Sequence, residues 1–113
     1  MLIVYLLFSF LCKGNEEMRE NKFQAKLIKE LKYLFPGCIV TKLDPGYLQG
    51  IPDLLILYKD KWATLECKRS INASKRPNQE YYVEQMNEMS FSRFICPENQ
   101  EEVLHELQQT FES

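Results

Sequence analysis

Two short stretches of this chain carry side chains that could perform chemistry together: Gly50-Ile51-Pro52-Asp53 and the acid-x-lysine Glu66-Cys67-Lys68. Two carboxylates offer oxygen ligands to a hard divalent cation, and a neighbouring ammonium can steady a water or a developing negative charge. That combination is what metal-dependent hydrolysis of a phosphodiester requires. It works only if the chain folds Asp53 against Glu66 and Lys68.

The intervening residues predict such a fold. Residues 51–58 are rich in Ile and Leu and follow Gly50, residues 62–68 read as a second short strand, and Lys59-Asp60-Lys61 is the polar interruption between them. A turn centred on Lys59-Asp60 sets Asp53 opposite Glu66, with Cβ atoms about 4.5–5.5 Å apart. Glu66 and Lys68 alternate along their strand and so share a face. A slip of one residue would separate the three. Leu55 and Leu57 share the Asp53 face, and Leu54, Ile56 and Tyr58 line the other, extended across the turn by Ala63 and Leu65. A strand apolar on both sides predicts cover on both sides, which would leave the charges at one end of a partly buried hairpin. The competing reading is a solvated hairpin face with an ordinary cross-strand ion cluster.

The remaining elements alternate. Residues 19–35 predict a helix with Phe23, Leu27, Leu31 and Leu34 inward, stopped by Pro36-Gly37, with Glu20 and Gln24 on its flank. Residues 38–43 read as a strand followed by the Asp44-Pro45-Gly46 turn. Pro77 suits the first turn of a second helix running to about Met89. Residues 91–96 form a fourth strand, and a last helix from Pro97 turns Val103, Leu104, Leu107 and Phe111 inward. The order is αβββαβα.

The Gly50-x-Pro52-Asp53…Glu66-x-Lys68 pattern resembles the PD-(D/E)XK nuclease superfamily. It is most similar to small phage-type nucleases of the virus-type replication-repair (VRR-NUC) family and to Holliday-junction resolvases. The resemblance covers most of residues 18–111, including Glu20-x-x-x-Gln24 and Arg76-Pro77-Asn78-Gln79. It implies an α/β, restriction-endonuclease-like αβββαβ core with a C-terminal helix, a mixed central sheet flanked by helices. It also implies a Mg²⁺-dependent endodeoxyribonuclease of DNA repair, recombination or replication, with Mn²⁺ able to substitute. Asp53, Glu66 and the backbone carbonyl of Cys67 would hold the metal, and Lys68 would position or deprotonate the attacking water. Glu20 resembles the helix-borne acid that some members use. Gln79 and Tyr82 would orient the lysine or touch the DNA backbone. Lys42, Arg69, Lys75, Arg76 and Gln79 are the candidate nucleic-acid contacts. A homodimer acting on branched DNA is the expected assembly. A non-catalytic nucleic-acid-binding domain and a ribonuclease on the same fold are the alternatives.

Composition bounds the rest. At 113 residues, 45% hydrophobic and 27% charged, the chain has room for one domain and one core. A net charge of −2 argues against strong general nucleic-acid binding, but Lys59, Lys61, Lys68, Arg69, Lys75 and Arg76 gather around the motif in sequence, while residues 98–112 are acidic. Either a basic face for phosphates or a solvated loop follows. Cys12, Cys38, Cys67 and Cys96 form no C-x-x-C pair, and His105 is the single histidine, so zinc is disfavoured; buried free thiols in a reducing cytosol are expected. His105 reads as a surface residue. No small-molecule cofactor motif is present, and a cytoplasmic location, the host cell's if phage-encoded, is expected.

Residues 1–12 are almost wholly apolar but too short to span a bilayer, and they lack a basic flank and a small-x-small cleavage site. Residues 1–17 therefore read as an extension dispensable for catalysis, with Met18 as the initiator of the domain over residues 18–113. A membrane anchor, an export signal or an extra core strand are the alternatives.

Overall fold

The structure, a computed structural model, describes the backbone of residues 2–113 and the side chains of residues 18–113. The expectations for the leading apolar run and for Cys12 lie outside the described side chains. Seven elements follow in the order α1 (Leu2–Leu34), β1 (Ile39–Lys42), β2 (Leu54–Tyr58), β3 (Lys61–Cys67), α2 (Gln79–Met89), β4 (Ser92–Ile95) and α3 (Gln100–Glu112). This is the expected αβββαβα order. The strands form one mixed sheet in the order β1-β2-β3-β4, antiparallel except for the β3–β4 pair, which α2 connects as a crossover.

The hairpin closes as the turn residues predict. Tyr58 pairs with Lys61 and Leu54 with Leu65, and Lys59 takes φ 56 at the turn. The next pair along that register is Asp53 and Glu66.

One face of the sheet carries the core. Leu54, Ile56, Ala63, Leu65 and Cys67 pack with Phe23, Leu27, Leu31 and Phe35 of the α1 region and with Leu107 and Phe111 of α3. Phe35, Tyr58 and Phe111 form a cluster of rings with centroids 5.0–5.6 Å apart. The helix α1 ends where the sequence predicts, and Gly37 with φ 88 makes the left-handed turn into β1. On the opposite face, α2 lies over β3 and β4, where Thr64 donates a hydrogen bond to Ser92 at 2.7 Å.

Three expectations need correction. The strand β2 is not covered on both sides: Leu54 and Ile56 are fully buried, but Leu57 is 40% exposed. α2 packs over β3 and β4 and leaves the outer half of the sheet open. The second helix starts at Gln79, not Pro77, because Asn78 takes φ 69 and stands outside the helical region. Lys59 and Lys61 do not join the motif's charges. They sit at the turn end of the hairpin, roughly 20 Å of strand from Cys67 by the ordinary rise per residue, and Lys61 Nζ donates to the carbonyls of Phe111 and Ser113.

Cys38, Cys67 and Cys96 are free thiols, the last two buried. Among the described residues no helix is long and apolar enough to cross a membrane.

Candidate metal centre

The two halves of the motif meet at the end of β2 and β3 away from the turn. Asp53 immediately precedes β2. Its carbonyl accepts a hydrogen bond from Leu43 N at 2.9 Å, and its carboxylate Oδ2 accepts one from Cys67 N at 2.9 Å. Its side chain is thus tied across the hairpin. Glu66 occupies β3, a strand with neighbours on both sides, and is only 2% exposed. Lys68 follows β3 directly; its N–H donates to Ile95 O at 2.8 Å, which continues the β3–β4 ladder and keeps its side chain on the Glu66 face.

Glu20, from α1, completes a cluster in which one carboxylate oxygen each of Glu20, Asp53 and Glu66 lie within 4.8 Å of one another. Exposed acidic groups often gather without a ligand. This cluster differs because Glu66 is buried and its Oε1 has no hydrogen-bond partner. An unsatisfied buried carboxylate oxygen is costly. A proton or a cation at that position removes the cost.

Gln79 organises the other side. Its Oε1 accepts from Lys68 Nζ at 2.8 Å and from Arg76 N at 2.8 Å, while its Nε2 donates to Glu66 Oε2 at 3.1 Å. One buried amide therefore spans the acid and the lysine, whose direct separation is 4.0 Å. Two of the three Lys68 protons remain free of this bond.

Electrostatics follow from burial and crowding. Burial, with the Asp53 carboxylate beside it, pushes Glu66 up to about 9 against the opposing pull of Lys68. Burial also raises Glu20 above the usual carboxylate range; Lys68 opposes this shift and Asp53 adds to it. The Cys67 thiol is pushed far up by burial and then by Asp53 and Glu66, so it stays protonated and inert.

The carboxylates open into a cleft of about 310 Å³ lined by Glu20, Asp53, Glu66, Arg76 and Gln79 and, from the loop before β2, by Pro45, Gly46, Gln49, Gly50 and Ile51. The donor set fits a hard cation: carboxylate oxygens of Glu20, Asp53 and Glu66 gather within 4.8 Å of one another, and all the ligand atoms are oxygen. Asp53, Glu66 and Glu20 are the residues able to hold it. The Cys67 N–H, which donates to Asp53 Oδ2, sets that residue's backbone beside the carboxylates.

Of the residues expected at the site, Glu20, Asp53, Glu66, Lys68, Gln79 and Arg76 come together. Gln79 does so as a buried bridge, 7% exposed, rather than as a surface contact for nucleic acid or an exposed helix position. Arg76 is exposed and lines the cleft. Arg69 is half-buried and its charge reaches Glu20. Two others stand apart. Lys75 pairs with Glu80 at 3.3 Å and lies over the Phe94 ring at 4.4 Å. Lys42 is exposed on the edge strand β1 and, paired with Leu54, projects to that residue's face rather than the Asp53 face.

Two residues named in the sequence motifs without a role of their own also contribute. Gln24 lines the acidic recess beside Glu20, and its side chain opposes the upward shift of the Cys67 thiol. Gly50, at φ 93, packs so closely on the Pro77-Asn78 backbone that an added Cβ would lie 2.6 Å from Asn78 Cβ. A glycine just ahead of the Pro-Asp was the available signal for such an approach. Comparison with protein-family models, with curated proteins and with solved structures found no match for this chain.

Proposed function

We propose that this chain is a Mg²⁺-dependent endodeoxyribonuclease of the PD-(D/E)XK type, with Mn²⁺ able to substitute. One observation carries the reading: the unpartnered, buried Oε1 of Glu66, set among the carboxylates of Asp53 and Glu20 beside a lysine held by Gln79. A structural ion pair has no use for two further acids around an oxygen left unsatisfied. A non-catalytic descendant of such a fold would be free to lose one of the four.

In this reading Asp53 and Glu66 hold the cation, with Glu20 and the Cys67 carbonyl completing its protein ligands. The bound Mg²⁺ supplies positive charge that offsets the charge gathering on the phosphoryl oxygens and makes a nearby water easier to ionise. Lys68, fixed by Gln79, directs a proton of its ammonium at the attacking water or at a phosphoryl oxygen. Water oxygen attacks phosphorus and gives up one proton to solvent, the phosphorus–oxygen bond to the leaving nucleotide breaks, and the leaving oxygen takes up a proton from solvent. Arg76, at the cleft's rim, contacts a phosphate and positions the strand without reading its sequence. A homodimer acting on branched DNA, in a reducing cytoplasm suited to the buried free thiols, extends the same proposal.

The test is a cleavage panel of labelled single-stranded, flap, junction and duplex DNA, with RNA counterparts, in Mg²⁺ and in EDTA. Cleavage of DNA in Mg²⁺ that vanishes in EDTA and in Lys68→Ala is expected. Full activity in EDTA or in that variant, or cleavage of RNA alone, would overturn it.

A further inference from the structure

The loop between β1 and β2 ends in the motif, and it presents an aromatic ring that the reaction does not require. Tyr47 is 91% exposed, whereas its neighbour Leu48 turns inward and is half-buried. The loop is tightly tied. Asp44 Oδ1 accepts from Gly46 N at 2.8 Å, the Asp44 carbonyl accepts from Tyr47 N at 3.2 Å and Leu48 N at 3.3 Å, and Leu48 O accepts from Ile51 N at 3.2 Å. Gly50 wedges the loop's far end against Pro77-Asn78. The ring is therefore carried on an anchored support. Gly46 before it and Gln49 after it both line the cleft that holds Asp53, Glu66 and Arg76.

Resting on the hydrolase reading above, we infer that Tyr47 is a stacking platform for an unpaired base of the nucleic-acid strand whose phosphate occupies the cleft. A single exposed ring is ordinary on a protein surface; this one stands at the rim of a site that bears an arginine for phosphate and acids for a cation. A nucleotide is the ligand that combines a π-face with an anion a short distance away. Bases inside a duplex have both faces already stacked, so a free face belongs to single strands, flaps and branch points. The ring has no edge pattern that distinguishes bases, so it selects for unpaired structure and not for sequence.

Equilibrium binding of the full chain to a single-stranded oligodeoxynucleotide and to a blunt duplex, with Ca²⁺ in the metal's place, tests this. Tyr47→Ala should weaken single-strand binding roughly 5- to 150-fold, the range alanine substitution gives for one stacked base, and duplex binding far less. Tyr47→Trp should retain the affinity. A 2-aminopurine in the strand should be quenched by the wild-type protein and by Tyr47→Trp, and not by Tyr47→Ala. Equal losses on both substrates, no loss on the single strand, or a changed oligomeric state with unchanged single-strand affinity would overturn the stacking role while Mg²⁺-dependent cleavage still upheld the hydrolase. No nucleic-acid binding by the wild-type chain would overturn both.

Discussion

Binding of a divalent cation to this site should expel a proton, and Glu66 is the source. Its ordinary pKa of 4.5 is raised to about 9, first by burial and then by Asp53, so at pH 7 the metal-free protein carries Glu66 protonated. A cation needs the carboxylate form. Near pH 7 about one proton should leave per ion bound, and affinity should rise about tenfold per pH unit from roughly pH 5 to 9, then level off. The same shift fixes the sign of the stability change. A group whose pKa is higher folded than unfolded contributes fully below the unfolded value and loses that contribution as pH climbs through the folded one. The metal-free protein should therefore weaken from about pH 4.5 to 9. The loss by pH 7 is on the order of 3 kcal/mol, from 1.36 kcal/mol per unit over the roughly 2.5 units above the unfolded pKa. Glu20 shifts in the same direction, so the informative quantity is wild type minus Glu66→Gln. Calorimetry in buffers of different ionisation enthalpy counts the protons, and thermal melts at several pH values read the stability. If no proton is released, or if the wild-type and Glu66→Gln melts run parallel from pH 5 to 9, the buried-acid reasoning is wrong.

Replacing Gln79 by Leu keeps the volume but strands Lys68 Nζ, Glu66 Oε2 and Arg76 N; turnover should fall about 10- to 100-fold with KM little changed, as steady-state kinetics would show. Gly50→Ala forces a Cβ against backbone 2.7 Å away at φ 93 and should lower stability by at least about 2 kcal/mol, read as a drop in Tm. Arg76→Glu should reduce the salt dependence of DNA binding by about one unit of slope, whereas Lys59→Glu, at the far end of the hairpin, should leave it unchanged.

Local order in this chain is legible because the signals are local. The apolar spacing from Phe23 to Leu31 forms the buried stripe of α1, Gly37 ends its turn, and Lys59-Asp60 sets a two-residue hairpin whose register carries Asp53 opposite Glu66. From that register alone, the meeting of Asp53, Glu66 and Lys68 follows. Residue types and alternation therefore determined the element order, the core face and the centre of the site. They did not determine what covers each face. Leu57 reads as apolar and stands exposed, because only the docking of α2 over β3 and β4 decides which half of the sheet is sheltered. Nor does sequence distance report direction: Lys59 and Lys61 lie near Glu66 along the chain and far from it along an extended strand. Gln79's amide has no local reason to be buried. It becomes the bridge between Lys68 and Glu66 because the crossover helix begins beside the end of β3. The same tertiary closure brings Glu20 of α1 to Asp53 and leaves Glu66 Oε1 without a partner, and this long-range placement makes two adjacent acids part of a candidate cation site.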